Sequence, residues 1–224
     1  MSEAQALAPK VTRGARTRQA IVGAGRALFA ARAVDAVAID EIVREAGVSK
    51  GAFYNHFDDK DALVGAIAGE IRAGVESIVR SANDRVDDPA RRVVRAVCVY
   101  LRYALDEPER AGVMLRLHDT HIPMASPLNQ GLMDDIAAGL SSGRFEIAGT
   151  EAGALFVMGV ALAGLGRIAR EPSPAAATGL AQQLCALLLR GLGVPPLEAT
   201  SISARASDEL VRSPHSPSQR PLAP

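Results

Sequence analysis

A chain of 224 residues is long enough to bury a substantial core, as one domain or as two small ones. Its 25 Lys and Arg balance 25 Asp and Glu, which excludes a protein that holds polyanions by bulk charge alone. Only two cysteines occur, Cys98 and Cys185, each inside an apolar helical pattern; they read as small buried hydrophobes in a reducing compartment, with a disulfide as the lesser alternative.

Residues 1–15 read as a flexible arm. Lys10, Arg13, Arg16 and Arg18 make its end basic, with no acid after Glu3, and a local basic patch is what phosphate contact requires. At least residues 1–8 read as a solvated, disordered leader. Ser2, Glu3 and Gln5 stand where a secretory leader would carry basic residues and an apolar core, so a soluble, cytoplasmic protein is expected. A first helix is predicted over Thr17 to Arg32, with Ile21, Ala24, Leu28 and Phe29 as its inner stripe.

The stretch from Ile39 to Leu63 organises the N-terminal part. Ile39, Ile42, Val43 and Ala46 recur at helical spacing, and Gly47 can end that helix in the left-handed conformation. Val48 follows as a buried plug, and Ser49 supplies a side-chain oxygen to cap the next helix, Lys50 to Phe57. Phe53 and Phe57 face inward; Lys50, Gly51, Tyr54 and Asn55 are left facing out. Two short helices joined by a glycine-containing turn form a helix-turn-helix, whose second helix enters a major groove.

The run Ala46-Gly47-Val48-Ser49-Lys50-Gly51-Ala52-Phe53-Tyr54-Asn55-His56-Phe57, followed by Asp59-Lys60-Asp61-Ala62-Leu63, resembles the signature of tetracycline-repressor (TetR) family regulators. With Ile21, Ala24 and Leu28-Phe29 upstream, the likeness spans Arg16 to Leu63. It departs at Ala33, where the family usually has glycine, at Ala38, where a Ser or Thr usually caps, and at Val43, where alanine is usual. The first two bear on helix ends rather than on the outward surface.

Further along, Asp58 and Asp61 can cap a long helix over residues 58–83 carrying Leu63, Ile67, Ile71, Val75 and Ile78. Asp88-Pro89, Glu107-Pro108, Ser126-Pro127 and Ser173-Pro174 each set a capping residue before a proline, and Thr150-Glu151 follows Gly149. Helices are therefore predicted near 89–105, 108–118, 127–141, 150–170 and 174–190. No stretch alternates like a strand, so the fold is expected to be all-α: a three-helix helix-turn-helix domain over 16–57, joined by a long helix to a helical ligand-binding and dimerisation domain over 58–192. The apolar run Ala152 to Gly166 is shorter than the ~20 residues that span a bilayer. From 193 to 224 the Pro, Ser and Ala content predicts a disordered tail, with at most one helical turn at Asp208 to Arg212.

The helices at 150–170 and 174–190 are apolar nearly all round. Leu155, Leu162, Gly159, Ala163, Leu180, Leu184, Leu187 and Leu188 are the candidate interface, which the resemblance implies is a four-helix bundle with a second subunit; a buried central helix in a monomer is the alternative. The DNA-contact candidates are Arg16, Ser49, Lys50, Gly51, Tyr54, Asn55, His56 and Lys60. Tyr54 can offer a hydroxyl to phosphate or pack on the first helix, and Asn55 can pair with adenine or face water. Ser49 can cap alone or also touch phosphate, and His56 can touch phosphate or be partly buried. At Gly51 either DNA approaches the backbone closely or a larger residue does not fit. Lys60 places a cation in a helix's first turn, where a nearby phosphate would account for it.

Tyr100, Tyr103, Met114, His118, Met133 and Phe156 are candidates to line a ligand cavity. His118 and His121 lack a third donor and read as polar loop residues, so no metal or cofactor is expected. No nucleophile elbow, P-loop or dinucleotide fingerprint is present, and no enzyme is expected. The resulting expectation is a homodimeric repressor that binds a palindromic operator. The resemblance implies that a small apolar or aromatic effector shifts the 58–83 helix and releases the DNA. The alternative is a helical small-molecule-binding or scaffold protein that no longer uses its DNA-reading surface.

Overall fold

The computed structural model describes residues 12–121 and 126–212, with side chains of 118–121 excepted. Lys10 of the basic arm, the side chains of His118 and His121, and the tail beyond Arg212 lie outside the described residues. The described residues are largely helical with no strand, and the chain divides into two compact units, one ending at Ile67 and the other beginning at Ala68.

In the first unit, α1 (Arg13–Ala31) starts earlier than the sequence predicts. Thr12 accepts the Ala15 N–H and so caps it, which places Arg13, Arg16 and Arg18 on a helix instead of a flexible arm. α2 (Ile39–Glu45) begins at Ala38, which has no side-chain acceptor. Glu41 compensates by accepting the Ala38 N–H, and Arg32 bonds the same carboxylate and lowers its pKa. Gly47 has φ +66°, the left-handed turn its position requires, and Val48 behind it is half-buried rather than a fully buried plug. α3 (Lys50–Tyr54) is shorter than expected, though the Phe57 N–H still bonds the Phe53 carbonyl.

The first turns of α4 (Lys60–Ala82) belong to this unit. A β-carbon on Gly25 of α1 would come within 3.0 Å of both Leu63 Cδ2 and Ile67 Cδ1. The division therefore falls inside α4, not before it as the sequence suggests. Asp59, one residue past the expected Asp58, caps α4 through the Ala62 N–H.

The second unit packs α5 (Pro89–Asp106) against α7 (Gln130–Ser141), α8 (Thr150–Arg170) and α9 (Pro174–Gly191), and α6 (Pro108–His121) against α8. Val93, Val97, Leu101, Leu117, Ile136, Leu165 and Leu189 are fully or almost fully buried in its core. The tail expectation fails for residues 196–212. These form α10 (Pro196–Ser207) and a further turn over Asp208–Arg212, packed on α9 and α5. Pro195 and Pro196 start this helix instead of marking disorder. Its buried stripe is Ala199, Ser203, Ala206, Ser207 and Val211, residues too small to register as an apolar pattern. Arg144 fastens it, bonding Asp88 at the start of α5 and Glu198 in α10.

Candidate nucleic-acid interface and ligand cleft

The second helix of the helix-turn-helix is held from behind by Phe53 and Phe57, both buried. Ser49 Oγ accepts the Ala52 N–H at 3.1 Å, so its capping role is in place and its own hydroxyl proton stays available. Tyr54 is 48% exposed. Its ring meets Phe53 edge-on at 5.4 Å, so one edge is braced against the core while the side chain remains open to solvent. Lys50 Nζ lies 2.8 Å from Asp40 Oδ1, and that bond raises its pKa. Both side chains are solvated, so the pair can exchange for another anion at little cost.

Asn55 is exposed at the end of α3, and His56 is half-buried with Cε1 beside Gly14 of α1. The first turn of α1, with Arg13 and Arg16 exposed, therefore borders the end of α3. Arg18 instead turns inward over the Phe57 ring at 5.3 Å. A β-carbon on Gly51 would meet nothing nearer than Ser49 Oγ at 4.0 Å. A larger residue fits there, which removes one of the two accounts of that glycine. Gly51→Ala is expected to leave the fold intact or stabilise it by up to about 1 kcal/mol, measured by urea denaturation, so that any loss of DNA binding reads the approach of DNA alone.

Lys60 is engaged within the protein. Its Nζ donates to the Val34 carbonyl at 2.9 Å and to the Val37 carbonyl at 3.2 Å, in a partly buried position. These carbonyls lie at the start and the end of the turn between α1 and α2, so the cation in the first turn of α4 serves the protein and needs no phosphate to account for it. Lys60→Met is expected to lower stability by about 1–3 kcal/mol, the worth of a charged hydrogen bond, while leaving the salt dependence of DNA binding unchanged. A salt slope flattened by ~0.9 would return Lys60 to the phosphate contacts.

In the second unit a cleft of about 80 Å³, open to solvent, lies among α4, α5, α7 and α8. Its apolar lining is Val79, Val97, Leu132, Val157, Met158 and Leu162. Its polar lining includes a hydrogen-bonded cluster. Arg72, only 5% exposed, donates from Nε to Glu76 Oε1 at 3.0 Å and from Nη2 to Asn129 Oδ1 at 2.9 Å, and its guanidinium lies over the Tyr100 ring. Tyr100 donates its hydroxyl to the same Glu76 oxygen at 2.6 Å. Burial raises the Tyr100 pKa far above its ordinary value, with Glu76 adding to the effect, so the phenol stays a neutral donor. Arg92 bonds Asp135, whose carboxyl pKa burial nevertheless raises.

Of the expected ligand contacts among the described side chains, only Tyr100 lines this cleft. Tyr103 and Met114 are buried core, and Met133 is half-buried on α7 away from the lining. Phe156 is 42% exposed on the outer side of α8, its ring so close to Gly191 that a β-carbon there would come within 2.7 Å. The helical turn explains this: Val157, one residue on, faces the cleft, and Phe156 is 100° round from it. Sequence reasoning missed Arg72, Glu76, Asn83, Arg92 and Asp135. The available signal was an i,i+4 Arg–Glu pair on the apolar side of α4, between Ile71 and Val79.

The outer faces of α8 and α9 carry Leu155 at 53% exposure and Leu187 at 59%, with Gly159 and Ala163 exposed between larger residues. Nothing lies within 4 Å of a β-carbon placed on Gly159. Leu162, Leu180 and Leu184 are half-buried. Leu188 is fully buried in its own unit, because it continues the inner stripe of Ala181 and Cys185 and not the outer one of Leu180, Leu184 and Leu187. It leaves the candidate interface. α8 is long and apolar enough, by length and composition, to cross a bilayer, but Ala154, Val157, Ala161 and Leu165 bury one side of it in this core. Among the described residues no three His, Cys, Asp or Glu side chains group as metal ligands.

Residues 21–67 match the sequence profile described as bacterial regulatory proteins, tetR family, and residues 88–205 match the tetracyclin repressor-like C-terminal domain. The Tn10 TetC protein of Escherichia coli is 48% identical over 50 residues, covering 22% of this chain and 25% of the relative. The transcriptional repressor DhaR of Mycobacterium sp. strain GP1 is 35% identical over 77 residues, covering 34% and 39%. The chain thus spans a quarter to two fifths of the length of these curated relatives. Over a greater length it resembles the crystal structure of RolR in complex with resorcinol, at 25% identity and a TM-score of 0.61, covering 86% of this chain and 95% of that one.

Proposed function

The chain belongs to the tetR family of bacterial regulators, and from that premise we propose that it is a homodimeric transcriptional repressor released from its operator by a small, largely apolar effector. The observation that carries the DNA-binding part is the outer face of α3. Lys50, Gly51, Tyr54 and Asn55 stand exposed on a capped helix rooted by two buried phenylalanines, beside the exposed Arg13 and Arg16. This arrangement suits a reading helix in the major groove with phosphate contacts at its flanks. The chain works in the cytoplasm, where its DNA is.

The exposed apolar faces of α8 and α9 support the dimer. A second copy would cover Leu155, Phe156 and Leu187 and could approach closely over Gly159 and Ala163. Two α3 helices related by a two-fold axis then read an inverted repeat. The cleft of the second unit supports the effector site, and the bound resorcinol in RolR shows a structural neighbour taking a small aromatic molecule.

The α4 helix supports the coupling. It runs unbroken from Lys60, clamped to the α1–α2 turn, to the residues that line the cleft. A ligand that prefers the arrangement incompetent for DNA weakens operator affinity by its differential affinity, about 1–3 kcal/mol or 5- to 150-fold, and by reciprocity operator weakens ligand binding equally. The test is fluorescence anisotropy on labelled duplex. Tyr54→Phe is expected to weaken binding by about the same factor on every operator variant, as loss of a phosphate contact does. Equal affinity of the wild-type chain for operator and scrambled duplex would overturn the repressor assignment.

A further inference from the structure

The chain has two cysteines, and the fold brings them together. Cys98 of α5 and Cys185 of α9 are 87 residues apart in sequence, yet their Sγ atoms lie 3.9 Å from each other, with no exposed surface on either residue. Ser207 Oγ, at the end of α10, lies 3.7 Å from Cys98 Sγ. A disulfide holds its sulfurs about 2.05 Å apart, so about 2 Å has to close. The two side chains are short and sit on helices already packed against each other, so torsion about each Cα–Cβ bond brings that distance within reach.

The two sulfurs are not equivalent. The hydrogen bond with Cys185 lowers the Cys98 pKa against the opposing effect of burial, and Ser207 and the positive charge of Arg95 lower it further. The same hydrogen bond, with burial, pushes the Cys185 pKa well up. Arg95 stands one turn before Cys98 on α5, and Ala206 adjoins Ser207 in the chain. Both line an open pocket of about 230 Å³ between α5 and α10, together with Arg91 and Arg205. Cys98 thus has thiolate character and packs on the helix that borders an electropositive opening, the surroundings in which cysteines oxidise. Cys185 is the second thiol, already in place. Burial sets the size of the oxidant. Bulky or charged reagents are shut out, while a neutral molecule little larger than water enters through local opening of the packing.

We propose that Cys98 and Cys185 form a reversible internal disulfide when the chain meets hydrogen peroxide, with Cys98 oxidised first. The Cys98 sulfur attacks one peroxide oxygen; the S–O bond forms, the O–O bond breaks, and the departing hydroxide leaves as water with the thiol proton. The Cys185 sulfur then attacks the Cys98 sulfenic acid. The S–S bond forms, the S–O bond breaks, and the second hydroxide leaves as water with the Cys185 proton. Two thiols lose two electrons in all, and one peroxide is reduced to two waters. A dithiol reverses the reaction by thiol–disulfide exchange. A transient disulfide of this kind suits a reducing compartment, and forming it needs neither DNA nor a second subunit.

The test treats the folded full chain with hydrogen peroxide, removes the excess with catalase, unfolds the protein in N-ethylmaleimide and measures its intact mass. The expected product is a single chain about 2 Da lighter than the reduced protein, carrying no N-ethylmaleimide and returned to two free thiols by dithiothreitol. Glutathione disulfide, too large to reach either sulfur, should leave both thiols free over the same period. Cys185→Ala, which removes the second thiol, should stop at a Cys98 sulfenic acid that dimedone traps, and Cys98→Ala should trap none. The wild-type mass decides whether or not either variant folds. Two N-ethylmaleimide groups on the peroxide-treated wild type would overturn the proposal. So would added oxygen without a crosslink, a disulfide joining two chains, equal oxidation by glutathione disulfide, or dimedone on Cys185 in a folded Cys98→Ala.

Discussion

Leu187→Glu is expected to produce monomers and to lower operator affinity by about 10²–10⁴-fold. Leu187 is 59% exposed at the C-terminal end of the outer apolar stripe of α9, and Leu155 on α8 is 53% exposed. In a free subunit the new carboxylate meets only water, so the variant folds. In a dimer it would be buried without a partner, at a cost of several kcal/mol. Two reading heads on one body bind the second half-site at a high effective concentration, and a monomer loses that advantage, which sets the size of the effect. Sedimentation and anisotropy on the same preparation check both halves of the expectation. Wild-type protein sedimenting as a monomer at micromolar concentration, or Leu187→Glu remaining dimeric, would place the interface elsewhere or remove it.

Arg72→Met is expected to cost about 3–5 kcal/mol of folding stability, the range for removing one member of a buried ion pair. Methionine covers the apolar surface that the arginine stem covered, so the loss reports the charge. Glu76 would keep a carboxylate in a largely buried site, its side chain 15% exposed, with only Tyr100 to hold it, and Asn129 would lose the Nη2 donor. Arg72→Met with Glu76→Leu should recover most of the stability, since replacing both members by apolar groups removes the stranded charge. Urea denaturation of the three variants measures this. A loss below 1 kcal/mol for Arg72→Met would show that the pair is wetter than its burial indicates.

The helix-turn-helix was legible because its requirements are local. A left-handed residue at Gly47, a cap at Ser49 and two inward phenylalanines four apart each announce themselves within a dozen residues. The helix starts at Pro89, Pro108, Thr150 and Pro174 were legible for the same reason, each being set by its own cap or proline. Long-range chemistry was not. Lys60 looked like a phosphate ligand because nothing nearby in the chain shows it reaching Val34 and Val37, more than twenty residues back. The cleft cluster joins Arg72, Asn83, Arg92, Tyr100 and Asp135 from three helices and a turn, and no spacing rule relates them. α10 escaped because its buried face is built of alanine and serine, whose contribution is close packing more than hydropathy. On α8 and α9 the all-round apolar character was read correctly, but one step of 100° decided that Leu188 is core and Phe156 is surface.

The most direct test of the central claim is selection by the purified full chain from a random duplex library, followed by sequencing of the bound pool. A two-fold dimer with α3 as its reading helix predicts an enriched inverted repeat whose half-sites are a whole number of helical turns apart. Tyr54→Ala should abolish that enrichment. A bound pool with no enriched sequence, or with single half-sites only, would contradict the account.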